Sequence, residues 1–179
     1  MVASVDLAAQ ALLAYAPQCA REHPAPRAAV APAQAGVPMS TAFALQTLDA
    51  VRAADTIVVE EAPGARGIMQ QYLHFETSES FYTMASGGLG HGMPAAVGVA
   101  LARPGRRVIS LVGDGSAMYS PQAIWTAHHL QLPITFVILN NRRYAALQDF
   151  APVFGFAPGE KPAGTDPVSY THLTLPTKA

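Results

Sequence analysis

Two short apolar runs, Val108–Val112 and Ile134–Leu139, constrain this chain more than any other feature. Both are rich in β-branched residues and bounded by turn residues, the pattern of strands buried on both faces in a parallel sheet. Between them, Ser120-Pro121 offers an N-cap and a proline for the first helical turn, Pro121–Leu130 then reads as a helix of about three turns, and Pro133 closes the connection. Strand, crossover helix and second strand form a β-α-β unit, which keeps both strands parallel and delivers their ends to one edge of the sheet. The expected fold class is α/β, a three-layer α/β/α arrangement around a mainly parallel sheet.

The residues at those two strand ends carry the chemistry. Gly113-Asp114-Gly115-Ser116 follows the first strand and Asn140-Asn141 the second. Ligands of open α/β sheets bind outside the carboxyl ends of the strands. Asp114 offers an anionic oxygen and Asn141 an amide oxygen. A hard cation such as Mg²⁺ takes oxygen ligands and completes its shell with substrate phosphates and water. The glycines beside Asp114 permit close backbone approach, so amides near Gly115, with the Ser116 hydroxyl, can point at a phosphate. Gly-Asp-Gly alone is equally a surface turn; the correctly spaced asparagine pair makes the combination suit a divalent metal holding a diphosphate.

With its spacing, Gly113-Asp114-Gly115 and Asn140-Asn141 resembles the thiamine diphosphate motif of thiamine-dependent enzymes. The resemblance spans about residues 40 to 157, with Ala85–Gly90, Met93–Val99, Ile124–Ala127, Tyr144–Leu147 and Phe150 recurring in order. Within that superfamily it is closest to benzoylformate decarboxylase and related 2-oxo acid decarboxylases. The resemblance implies that Asp114, Asn141 and the Arg143 backbone carbonyl bind Mg²⁺. It implies that Gly115, Ser116 and the backbone near Tyr144 and Ala145 hold the diphosphate of thiamine diphosphate, with Gly64 in a loop approaching it. Leu89 would wedge beneath the cofactor and bend it, and the Gly87 carbonyl would accept from the pyrimidine amino group. Ala146 and Phe150 match positions lining the substrate pocket, which favours an aromatic 2-oxo acid. The activating glutamate of the family lies on a separate pyrimidine-binding domain, usually of a partner subunit in a homodimer or homotetramer, and no residue here inherits that role.

The remainder is read as part of a longer protein. Residues 1–20 include a helix, Val5–Ala16, that resembles the end of a preceding middle domain; 21–38, rich in Pro and Ala, reads as a linker. Ser40 can cap a helix to about Arg52 with Phe43, Leu45, Leu48 and Val51 on its apolar face. The diphosphate-binding domain is then 39–157, lacking its final strands and helices. Residues 158–179 read as a disordered tail, and Val168–Leu173 back-translates into the mosaic end of a transposase sequencing adapter, which sets 168–179 aside from fold reasoning.

Composition excludes some classes of function. A net charge of −1 gives no electrostatic footprint for nucleic acid. No apolar run approaches a membrane span and no signal-peptide pattern opens the chain, so a cytoplasmic enzyme is expected. Cys19, the single cysteine, permits no internal disulfide. His128-His129 do not share a helical face and are not expected to form a metal pair; His91, Trp125 and Met118 read as structural. One of Glu60-Glu61 is expected to hydrogen-bond the phosphate loop rather than act as acid or base. Two rival readings compete. Gly90-His-Gly92-Met-Pro-Ala95 fits the Gly-x-Gly-x-x-Ala fingerprint of an NAD-binding Rossmann module, with Asp114 placed for a ribose. An acetolactate synthase-like carboligase shares most of the motif.

Overall fold

The computed structural model describes residues 4–14, 29–157, 160, 162–163 and 165. Its centre is a four-stranded, wholly parallel sheet in the order β2-β1-β3-β4, formed by β1 (Ile57–Glu61), β2 (Phe81–Thr83), β3 (Val108–Gly113) and β4 (Ile134–Leu139). Side chains of a strand alternate between faces, and the core divides accordingly. Val58, Ile109 and Leu111 pack with Leu45 of α2 (Thr41–Val51) and with Met69 of α3 (Arg66–Tyr72). Ile57, Val59 and Val108 meet Ala96 and Ala100 of α4 (Gly92–Ala102), and Val112 meets Ala123 and Ala127 of α6 (Gln122–His129). Helices on both faces of a parallel sheet make the expected three-layer α/β/α fold.

The strands are not equally buried. Every residue of β1 is buried, and β3 is buried through Val112. In contrast to the sequence expectation, β4 is only partly buried, with Thr135 and Ile138 exposed. Among the described residues it is one of the two edge strands, and an edge position leaves side chains uncovered that an apolar run alone does not reveal. Trp125 is a second correction. It is 67% exposed and stacks on His129 at 5.0 Å instead of entering the core.

Ser40 caps α2 as expected, accepting a hydrogen bond from the Phe43 amide at 3.2 Å. Leu45 is buried and Leu48 packs on the core, whereas Val51 is exposed. Ser120 does not cap α6. Its hydroxyl donates to the Gly90 carbonyl at 2.7 Å, and the helix starts one residue later, at Gln122 with Pro121 in the cap position. Part of the predicted linker is held in place: the Ala33 amide donates to the Gln46 side chain at 2.8 Å, and the Tyr72 hydroxyl donates to the Ala31 carbonyl at 3.1 Å. No residue of α1 (Val5–Ala14) is buried, and its Leu7 and Leu12 are exposed. The linker up to residue 28 and nearly all of the tail from 158 onward fall outside the described residues.

A polar cluster ties α2 to the chain that follows α3. Asp49 accepts from Arg52 at 2.8 Å and from the His74 amide at 3.2 Å, and its other oxygen lies 2.6 Å from His74 Nδ1. Burial pushes the Asp49 carboxyl up, but the hydrogen bonds from His74 and Arg52 outweigh it and hold the group below its ordinary 3.8. A depressed carboxyl stabilises the fold above its unfolded-state pKa, and that contribution is lost as pH falls through the folded-state value. Asp49→Asn is therefore expected to destabilise the chain clearly at about pH 5 and far less at about pH 2. Urea unfolding of both proteins at the two pH values checks this; equal losses at both would contradict it.

Candidate functional site

The carboxyl edge of the sheet has a switch point between β1 and β3. β1 is followed by α3 on one face, whereas β3 leads through α5 (Asp114–Ala117) to α6 on the other. Adjacent strands whose connections diverge leave a crevice at their carboxyl ends, where α/β sheets hold ligands. The loops after β1, β3 and β4 converge at this edge.

Their close approach is written in the glycines. A Cβ added at Gly115 would stand 2.9 Å from Tyr144 Cε1, and one at Gly64 would stand 3.0 Å from Ala145 Cβ and 4.0 Å from Asn141 Nδ2. Gly64, Asn141 and Ala145 are thus drawn together, as are Gly115 and Tyr144. The register pairs Gly113 with Leu139, so Asp114 leaves β3 level with Asn140-Asn141 leaving β4. The turn after β4 is locally determined: the Arg143 amide donates to Asn141 Oδ1 at 3.0 Å, and Arg142 takes a left-handed φ of 55°. This fixes the Asn141 side chain beside the Arg143 amide. Ser116 is buried in α5, and Ala145 opens α7 (Ala145–Phe150), which packs against the turn Pro63–Ala65.

Among the described residues, no three His, Cys, Asp or Glu side chains cluster as metal ligands would. The candidate set contains one carboxylate, one amide and one carbonyl. That donor set is all oxygen and low in charge, which fits a Mg²⁺ that draws its other ligands from phosphates and water.

The two consecutive glutamates at the end of β1 face opposite layers. Glu60 points toward α3: it accepts from the Ala62 amide, from Arg66 at 3.1 Å and from Thr83 at 2.6 Å. It thereby holds the start of the loop carrying Gly64. Glu61 points toward α4 and accepts from the amides of Gly90 and Gly92, with His91 Nδ1 3.4 Å away. Sequence reasoning gave one of the pair a loop-holding role; the structure gives each a separate loop. A buried carboxylate requires such partners, so two acidic residues at the end of a strand buried on both faces are the signal that could have found both.

The segment after β2 reaches the same edge at Gly90, beside Glu61 and Tyr119. Gly87 has φ +76° and is exposed, and Leu89 is 45% exposed. On α7, Ala146 is half-buried and Phe150 is 61% exposed.

Residues 64–174 match the family described as thiamine pyrophosphate enzyme, C-terminal TPP binding domain. The chain belongs to the thiamine pyrophosphate enzyme family. It is the cofactor-binding domain of such an enzyme, related to both benzoylformate decarboxylase and the acetolactate synthases. Benzoylformate decarboxylase of Pseudomonas aeruginosa is 37% identical over 93% of this chain and 32% of that protein. The large subunit of acetolactate synthase isozyme 2 of Escherichia coli is 32% identical over 62% of this chain and 20% of that protein. Among solved structures, the thiamine diphosphate-dependent 4-hydroxybenzoylformate decarboxylase of Rhodococcus jostii RHA1 superposes with a TM-score of 0.70 at 34% identity, covering 90% of this chain and 31% of that one. The chain thus spans about a third or less of the length of these relatives.

For a thiamine pyrophosphate enzyme, the dinucleotide fingerprint at Gly90–Ala95 is accidental. A Rossmann fingerprint follows a strand directly and sits where the sheet switches direction. Here residues 84–91 separate β2 from α4, β2 is an edge strand, and β1 lies between it and the strand that leads to Asp114. No helix among the described residues is long and apolar enough to cross a membrane.

Proposed function

We propose that this domain binds thiamine diphosphate through Mg²⁺ and serves a cytoplasmic, non-oxidative 2-oxo acid decarboxylase of the benzoylformate decarboxylase type. The observation that carries the reading is the convergence of Gly64, Gly113–Ser116 and Asn141–Ala145 at the switch point between β1 and β3. In this reading Asp114, Asn141 and the Arg143 carbonyl hold the metal. Gly115, Ser116 and the backbone at Tyr144 and Ala145 hold the diphosphate, and Gly64 admits it. Leu89 bears on the cofactor rings and the Gly87 carbonyl orients the pyrimidine.

Thiamine diphosphate supplies, when bound, the electron sink that decarboxylation of a 2-oxo acid requires, and the protein supplies position and electrostatics. Ala146 and the exposed ring of Phe150 provide an apolar surface on α7 suited to an aromatic substrate. The activating carboxylate and the remaining substrate contacts come from a pyrimidine-binding domain, in a homodimer or homotetramer.

Calorimetric titration of the chain with thiamine diphosphate should give saturable binding with Mg²⁺ and little with a chelator present. The full-length enzyme should release aldehyde and CO₂ from benzoylformate. Conversion of pyruvate to acetolactate with no turnover of benzoylformate would favour the carboligase reading, which the similarity to the Escherichia coli synthase supports. Absence of thiamine diphosphate binding would sink both.

A further inference from the structure

Gly90 is held at both of its backbone polar groups by side chains from two different loops. Its N–H donates to Glu61 Oε1 at 2.5 Å, and its carbonyl accepts from the Ser120 hydroxyl at 2.7 Å. Glu61 ends β1, and Ser120 follows α5, the element that begins at Asp114. The grip is tight on the steric side as well. Gly90 has φ +93°, and a Cβ there would lie 2.8 Å from Tyr119 Cβ. Two residues on, a Cβ at Gly92 would lie 2.6 Å from Glu61 Cβ.

Glu61 is 1% exposed and accepts from the Gly90 and Gly92 amides, while His91 Nδ1 lies 3.4 Å away without a hydrogen bond. A charged carboxylate in such a place is costly unless hydrogen-bonded. Its merit is that it only accepts, so its two oxygens can take amides from alternate residues of one loop. Glutamine would turn a donor toward one of them. Leu89 immediately precedes the doubly held residue and itself stands out from the surface.

We infer that Glu61 and Ser120 are positioning residues that clamp Gly90 through its N–H and its carbonyl and so fix Leu89 against the rings of the bound cofactor. The inference rests on the thiamine diphosphate reading of the site. It also links two walls of that site, since the loop after β3 that carries Asp114 continues to the serine that sets Leu89.

A clamp acting on the cofactor rings has a signature that general loosening of the fold lacks. Calorimetry on the chain with Mg²⁺ compares thiamine diphosphate, which has rings, with inorganic diphosphate, which has none. Glu61→Gln should weaken thiamine diphosphate on the order of tenfold and Ser120→Ala about fivefold, as expected for loss of one charged and one neutral hydrogen bond. Ser120→Thr should restore most of the affinity, and inorganic diphosphate should stay within about twofold throughout. Amide exchange should become faster at Gly90 in Glu61→Gln. If Glu61→Gln does not fold, Ser120→Ala carries the comparison, because Ser120 is only half-buried.

Equal weakening of both ligands, or unchanged binding of thiamine diphosphate, would overturn the clamp. A wild-type chain that binds neither ligand would overturn the cofactor reading itself, and the clamp's role with it. The two failures are told apart by the wild-type titration alone.

Discussion

Asp114→Ala is expected to lower the affinity for thiamine diphosphate in Mg²⁺ by at least about a hundredfold, since even outer-shell partners of a metal typically contribute 10- to 100-fold. The reason lies in the donor set. Of the three proposed ligands, only Asp114 carries a formal charge; Asn141 and the Arg143 carbonyl contribute dipoles. Removing it leaves a divalent cation with no anionic protein ligand, and the diphosphate loses the bridge that ties it to β3. Asp114→Asn retains an oxygen in the same place and should fall between wild type and alanine, because affinity at hard-cation sites follows the charge of the ligands. Calorimetry with and without Mg²⁺, run beside thermal unfolding to separate a binding defect from a folding defect, decides the matter. Binding by Asp114→Ala at wild-type affinity and with wild-type Mg²⁺ dependence would remove Asp114 from the metal site.

How far sequence reaches can be judged at particular residues. The apolar runs of β3 and β4, the proline-bounded helix between them and the Ser40 cap are local patterns, and the structure follows them within a residue or two. Convergence of Asp114 with Asn141 followed from topology alone, because parallel strands must end on the same edge. Contacts between distant segments were not legible. Ser120 looked like a helix cap because nothing local indicated that Gly90, thirty positions earlier, would claim its hydroxyl. β4 looked buried because hydrophobicity does not say which strand lies at the edge. Glu60 and Glu61 looked like one feature until the pleat of a strand covered on both faces sent them into different layers. The dinucleotide fingerprint misled for the same reason. Its glycines serve close packing against Glu61 and Tyr119, a need that spacing alone does not distinguish from a phosphate loop.

Two glycines of one helix should respond to the same substitution with opposite signs. At Gly92 an added methyl meets Glu61 Cβ at 2.6 Å and Glu61 Oε2 at 3.0 Å, in a fully buried setting. The Cβ of Glu61 belongs to β1, a central strand paired on both sides, so it cannot swing away as the tip of a side chain could. Either α4 must lift from the sheet or β1 must shift. Overpacking of this kind costs about 1–3 kcal/mol. Displacing the carboxylate from its amides adds about as much again, as for other hydrogen bonds to charged groups. At Gly98, in the interior of α4, a Cβ meets nothing within 4 Å. There alanine removes only the conformational freedom of the unfolded chain, so Gly98→Ala is expected to stabilise by roughly 0.5–1 kcal/mol. Urea unfolding of both variants tests the contrast. Destabilisation by both would mean that α4 tolerates no added volume on either face, and stabilisation by both would mean that Glu61 is not packed against the start of the helix. Because the helix is shared, its propensity cannot account for a difference in sign; only the proximity of Glu61 to Gly92 can.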